Sequence, residues 1–408
     1  MRLPSAFMIL GSFSGSNAGD VAVLCRIVEE LELRFPKSTF YVPTTVPSWI
    51  QNSKLFQEYN VQPVSMRRRH LAHGYLSFQT LKAVMKCDAI FTTANMFFDR
   101  NLLNPWNNFI FSLLPILVLY RAMRRTGRVI AVAVGMTPPS SVIGGIILRR
   151  VLELHDLVTV RDDNSAALVT TLSKHIRLRG RYPDVVIGRQ PVITVPKTLP
   201  AEEVPQHRIG INLSSYFMGE LIRPTDKIRS GWLKFFARLI TVLSKRWSYE
   251  TTIILTSGTD EAMAIEMSQM LDHPIGVYGP SAHNHVELQS MIAELDAYLS
   301  MRMHGAIFAF SSRVPCLGLC FTDKLRHFYS DYDLTPYRID LCPNDYAVDS
   351  VFEDVLEKTV ACARLSSPKR EVLRSKMVQC TALQRKLFDG IAAFIQEPTH
   401  ADLPRRCD

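Results

Sequence analysis

Short apolar runs separated by stretches of helical spacing recur along the whole chain, and this alternation limits the fold more than any other feature. Runs such as "AFMIL" (6–10) and "RVIAVAV" (128–134) are apolar at nearly every position. A strand apolar on both faces is buried on both, which happens when helices cover each side of a parallel sheet. The first half therefore predicts strands near 6–10, 39–42, 61–64, 89–93, 129–134 and 157–161. Helices are expected over 77–86, 107–125, 141–154 and 164–173, and Asp20 should cap a first helix whose Leu24, Ile27, Val28 and Leu31 share one face.

A proline-bearing stretch, "QPVITVPKTLPAEEVPQHR" (190–208), interrupts the alternation and marks the linker. The pattern then restarts, with strands near 208–212, 252–255, 275–278, 297–301 and 315–319, intervening helices, and a helical tail over 350–395. A chain of 408 residues is too long for one ordinary core. The expected fold class is α/β, with two Rossmann-like domains of mostly parallel sheet facing across a cleft. Residues 1–190 form the first domain, 191–207 the linker, 208–395 the second domain with its helical tail, and 396–408 a flexible end.

Eight cysteines are scattered without a CxxC pair, a pattern that suits reduced thiols in a cytoplasmic protein better than disulfides or a zinc site. Cys316 and Cys320 read as buried packing. The N-terminus lacks the make-up of a signal peptide. The longest apolar stretch, "FIFSLLPILVLY" (109–120), falls well short of the roughly 20 residues needed to span a bilayer and reads as a buried helix.

The net charge of +9 is concentrated. Residues 61–160 hold twelve Arg and Lys against four acids, a surplus of eight. A solvated basic face, an anionic substrate, or peripheral contact with an anionic membrane could each account for it. Nucleic acid is not expected, because "MRRRH" (66–70) has no reader fold or aromatic platform around it.

In open parallel sheets, ligands bind beyond the carboxyl ends of the strands. The residues expected there are 11–20, Asn95 to Asp99, Gly135 to Pro139, Arg161-Asp162, Ser257 to Asp260, Arg302-Met303-His304 and Asp323-Lys324. The set is rich in cations and suits an anion. "GSFSGSNAGD" (11–20) looks like a phosphate loop, but its glycine spacing matches neither a dinucleotide fingerprint nor a P-loop. Asn17 and Asp20 either face a ligand or serve only the turn and cap.

"LSMRMHGAIFAF" (299–310) places Arg302 and His304 where a strand gives way to an apolar helix. Arginine offers a fixed fork for carboxylate or phosphate, and a guanidinium at a buried strand end requires a partner. "VTVRDDNSAALV" (158–169) repeats the arrangement at Arg161, with Asp163 or Asn164 as candidate caps and a plain Arg161–Asp162 pair as the alternative. His327 has no second His or Cys at ligand spacing, so no metal is expected.

These segments, in this order, resemble the polysaccharide pyruvyl transferase family from about Ala6 to Leu334. The matching pieces are "GSFSGSNAGDVAVL", "VTVRDDNSAALV", "YPD" (182–184), "IGINLS" (209–214), "SMRMHGAIFAF" and "PCLGLCFTDKLRHFYSDYDL" (315–334). The resemblance implies a fold similar to GT-B glycosyltransferases. It also implies transfer of the pyruvyl (enolpyruvyl) group of phosphoenolpyruvate onto two hydroxyls of a polysaccharide sugar or its lipid-linked precursor, forming a pyruvate ketal and releasing phosphate. Phosphoenolpyruvate would be a co-substrate and no cofactor is implied. By the same resemblance His304, Arg302 and Lys324 are the expected catalytic residues. Arg161, Asn17, Gly19, Asp20 and Asp99 are expected to bind substrate, with the first domain on the acceptor side and the second on the phosphoenolpyruvate side. Such an enzyme would be cytoplasmic, in peripheral contact with the inner membrane surface.

Two segments depart from the family pattern. Thr-Ala-Asn (93–95) stands where a glycine pair is common, and Ser257-Gly258-Thr259-Asp260 where a histidine often occurs. The alternatives are a nucleotide-sugar glycosyltransferase, which would need an acid for the donor ribose such as Glu287, and a non-catalytic protein that binds anionic lipid.

Overall fold

A computed structural model describes residues 4–66, 77–97, 109–124, 126–188, 207–215, 226–341, 348–365 and 367–398. The expected linker (191–207), except for its last residue, lies outside the described residues, as do Asp99 and positions 399–408 of the expected flexible end. The chain divides into two compact units, each built on one sheet whose strand pairs are all parallel.

The first unit comprises Met1–Gly15, Asp20–Val185 and Ala382–Asp408. Its strands are β1 (Ala6–Leu10), β2 (Thr39–Thr44), β3 (Asn60–Ser65), β4 (Ala89–Thr92), β5 (Arg128–Val134), β6 (Leu157–Val160) and β7 (Leu178–Arg181), in the order β3-β2-β1-β4-β5-β6-β7. Alternate residues of β1 serve opposite faces. Met8 and Leu10 join a core with Ile90, Leu113, Ile116, Leu148 and Val151, whereas Phe7 packs against Phe35, Phe40 and Phe91. The strand "LRGR" at β7 has no apolar run because it lies at the sheet edge, so periodicity does not announce it.

The second unit comprises Ser16–Gly19 and Val186–Thr381. Its strands are β8 (Arg208–Asn212), β9 (Glu250–Ile254), β10 (Val277–Tyr278), β11 (Ala297–Ser300), β12 (Cys316–Cys320) and β13 (Arg338–Asp340), in the order β10-β9-β8-β11-β12-β13. The core is aromatic on one side, where Trp232, Phe235 and Phe236 of the helix Asp226–Trp247 meet Phe321 and Phe352.

Both sheets thus share one doubly wound order. The direction of winding reverses between β1 and β4 in the first and between β8 and β11 in the second, and such switch points favour ligand binding at the carboxyl edge.

Several local expectations change. The helical tail does not lie wholly in the second unit: the helix Ser367–Gln396 contributes its residues from Ala382 onward to the first. There the Gln384 amide donates to the Asp184 carbonyl, and Arg34 pairs with Asp389. The first helix begins at Ala18, so Asp20 lies within its first turn and is not its cap. Asn17 Oδ1 accepts the Gly19 N–H at 3.0 Å, and Asp20 is a buried first-turn acid. Residues 109–120 do form a helix, Phe109–Met123, yet its Val118 is exposed; no described helix is long and apolar enough to cross a membrane. Cys316 and Cys320 are buried, and burial holds their thiols well above the usual range, with Cys320 pushed up to about 12.

Candidate functional site

The second unit gathers its polar groups at the switch point. Ser300 ends β11, and its hydroxyl donates to the Arg302 carbonyl at 2.8 Å while accepting the Arg302 N–H at 3.2 Å. That turn places Arg302 at the N-cap of the helix Met303–Ser311, which is buried from Gly305 onward. Gly305 is required there, because a Cβ would come within 2.4 Å of Ser300 Oγ. A helix buried from Gly305 onward and anchored to a strand is a rigid mount for Arg302 and for the half-buried His304.

The Arg302 guanidinium grips a carboxylate of its own chain. Nε donates to Asp260 Oδ2 at 2.5 Å, Nη2 donates to Asp260 Oδ1 at 2.7 Å, and Nη2 also reaches Thr259 Oγ1 at 3.2 Å. Asp260, fully buried at 0% exposure, accepts in addition the Ser215 N–H at 2.8 Å and the Ser215 hydroxyl at 2.7 Å. One carboxylate therefore ties together the loops that follow β8, β9 and β11. The partner that a buried guanidinium demands is Asp260, expected at this edge but not as the partner of Arg302. The signal available was its position: an acid just beyond β9, facing the same carboxyl edge as Arg302.

The segment Ser16–Gly19 belongs to this unit, not to the first domain as its place in the sequence implies. It runs antiparallel to the loop after β9: Asn17 bridges Ser257, the Ala18 N–H donates to the Thr256 carbonyl at 2.9 Å, and the Gly258 N–H donates to the Ser16 carbonyl at 2.8 Å. Gly19 lies against the His304 ring, where a Cβ would fall 2.0 Å from Nδ1. Asn17 and Gly19 are thus brought to Arg302 and His304. Lys324, half-buried, is the second residue of the helix Asp323–Asp331, which starts beyond β12, the strand beside β11. The helices Met303–Ser311 and Asp323–Asp331 both point their positive N-terminal ends to this edge, an arrangement suited to an anion.

Arg161 behaves differently. Within the first unit it is buried beyond β6, its Nη1 donating to Asp184 Oδ2 at 2.8 Å, with Asp162 Oδ2 at 3.7 Å from Nε. Gly135 leaves room for it, since a Cβ there would come within 2.5 Å of Arg161 Nε. The helix Asp163–Leu172 is capped by Asp162, not by Asp163 or Asn164: its Oδ1 accepts the Ser165 N–H at 2.7 Å. Two aspartates thus stand around this one arginine within the first unit.

The described cations of the basic window are also matched in part. Arg121 pairs with Asp156, Arg124 with Asp88, and Arg149 and Arg150 with Glu153. No cluster of His, Cys, Asp or Glu among the described residues could hold a metal ion. Glu287, the acid a nucleotide ribose would need, closes a capping box by accepting the Asn284 N–H at 2.8 Å.

Several solved structures share this fold. MnaA of S. aureus, solved with UDP, is 12% identical, with TM-score 0.55 over 90% of this chain and 92% of its own. The UDP-forming α,α-trehalose-phosphate synthase of Burkholderia vietnamiensis is 10% identical, with TM-score 0.54 over 97% and 98%. WaaG, a glycosyltransferase of lipopolysaccharide biosynthesis, is 12% identical, with TM-score 0.50 over 96% and 99%. At such identities the likeness shows a GT-B-like α/β fold of two Rossmann-like domains and nothing further. No curated protein sequence matches significantly. The profile of the polysaccharide pyruvyl transferases matches residues 17–319, from the Asn17 strap through β12. This chain belongs to the polysaccharide pyruvyl transferase family.

Proposed function

We propose that this protein transfers the pyruvyl group of phosphoenolpyruvate to two hydroxyls of a glycan, forming a cyclic ketal and releasing phosphate. The observation that carries the reading is the switch-point edge of the second unit, where Arg302, His304 and Lys324 sit beside two helix N-termini. A donor with a carboxylate and a phosphate on three carbons needs such a dense cationic edge. Asp260 takes Nε and Nη2 of Arg302 and fixes the plane of the guanidinium, so the donor anion would meet a group already oriented.

His304 protonates the methylene carbon of the donor while a sugar hydroxyl adds to the neighbouring carbon and gives up its proton. The second hydroxyl then displaces phosphate, whose departing charge Lys324 steadies. The carbon that gained the proton becomes the methyl of the ketal, and the balance is donor plus diol to ketal plus phosphate. A sugar of a polysaccharide, or of its lipid-linked precursor, is the acceptor class.

The test is to incubate the protein with phosphoenolpyruvate and glycan acceptors, following released phosphate and the mass gain of the glycan. Melting shifts add a second measure. Stabilisation by phosphoenolpyruvate and not by UDP is the expected result; stabilisation by UDP alone would place the protein among nucleotide-sugar enzymes instead.

A further inference from the structure

Among its described residues, the first unit has an apolar face exposed to solvent. The helices Phe78–Val84, Phe109–Met123 and Val142–Glu153 lie on one side of its sheet, because Ala83, Val84, Leu113, Leu117 and Leu148 share a core with Met8 and Leu10. The outward positions of such helices are ordinarily polar. Here Phe78 and Val142 are each 81% exposed, Ile143 64% and Ile146 57%, and Met85, Val118 and Met123 are exposed as well. Single exposed apolar residues are commonplace, but seven on adjacent helices of one face mark a surface that meets something.

The charges beside them indicate what. On the helix Val142–Glu153 the outward stripe begins with Val142, Ile143 and Ile146 and continues with the exposed Arg149 and Arg150. Glu153, which pairs with both arginines, is more buried than either, so the cations are what this stripe presents. Lys82 and Lys86, both exposed, stand beside Phe78 and Met85. Aliphatic and aromatic side chains alternating with Lys and Arg are the surface chemistry of proteins that rest at a lipid interface: the apolar groups enter the headgroup boundary and the cations meet lipid phosphates.

We propose that this face docks the protein on an anionic lipid bilayer. Phe78, Val142, Ile143 and Ile146 enter the headgroup region, while Lys82, Lys86, Arg149 and Arg150 pair with lipid phosphates. The inference stands apart from the transfer reaction, since docking requires no turnover.

Flotation of the full chain with vesicles tests it. The expected result is recovery with vesicles of phosphatidylcholine and phosphatidylglycerol, weak recovery with phosphatidylcholine alone, and a decline as salt rises. A Val142→Ser, Ile143→Ser, Ile146→Ser variant should bind the anionic vesicles roughly tenfold more weakly or worse. An Arg149→Gln, Arg150→Gln variant should bind with a flatter salt dependence. Both variants alter outward positions, and an unchanged melting temperature confirms that they fold. Equal recovery of wild type and triple-serine variant would overturn the proposal. So would absence of vesicle binding together with a solution dimer that the triple-serine change abolishes, which would assign the face to a second copy of the chain.

Discussion

Asp260 and Arg302 form a two-pronged ion pair in which the carboxylate is wholly buried and the guanidinium is largely so. Neither group could be tolerated there alone, because a lone charge out of water is far costlier than a matched pair. Replacing Asp260 with Asn should therefore destabilise the protein by about 3 kcal/mol, the low end for a broken buried pair because Arg302 keeps some solvent contact. Urea unfolding measures this. Phosphate release from phosphoenolpyruvate should fall at least roughly tenfold in the same variant, since Arg302 loses its orientation.

Gly19 leaves the space that the His304 ring occupies. Gly19→Ala should displace the imidazole, costing about 1–3 kcal/mol as an overpacked contact. Transfer should fall in parallel. A Gly19→Ala protein with unaltered stability and turnover would show that the ring moves aside at no cost.

Replacing His304 with Ala should lower turnover by roughly 10²- to 10⁴-fold, the usual loss when a positioned acid is removed. The melting shift produced by phosphoenolpyruvate should persist, because Arg302, Lys324 and the helix ends remain. Steady-state kinetics and thermal scans together separate a lost proton donor from a lost binding site.

Arg161 and Asp184 are both buried in the first unit. Arg161→Leu strands the Asp184 carboxylate and should cost about 3–5 kcal/mol, and pairing it with Asp184→Leu should recover much of that loss. The double-variant unfolding midpoint is the deciding measurement.

His155 is buried, and its Nδ1 lies 2.8 Å from the Val151 carbonyl, so Nδ1 carries the hydrogen. Nε2 then accepts from the Thr92 hydroxyl at 2.9 Å. Burial, more than any neighbour, lowers its pKa from 6.5 to about 4. The folded value lies below the unfolded one, so stability is full above pH 6.5 and declines as pH falls towards 4. The unfolded chain takes the proton first. The loss should approach roughly 3 kcal/mol at pH 4, from about 1.4 kcal/mol per unit. Unfolding midpoints across this range should show that slope, and His155→Asn should flatten it.

Much of the architecture was legible in the residues themselves. The run 6–10 coincides with β1 because a strand buried on both faces is apolar throughout. The edge strands β7 (LRGR) and β13 (RID) were not legible, since each is short and mostly charged or polar and so carries no apolar run. Arg302 and His304 stood out because a strand passing directly into an apolar helix leaves a sharp boundary in the sequence. The tertiary structure alone decided whom they meet. Asp260 lies 42 positions from Arg302, and Gly19 joins His304 across most of the chain. Periodicity reports which face of an element is buried, a local property of spacing. Partnership between charges depends on which loops the sheet order brings to one edge, and no local spacing encodes that order.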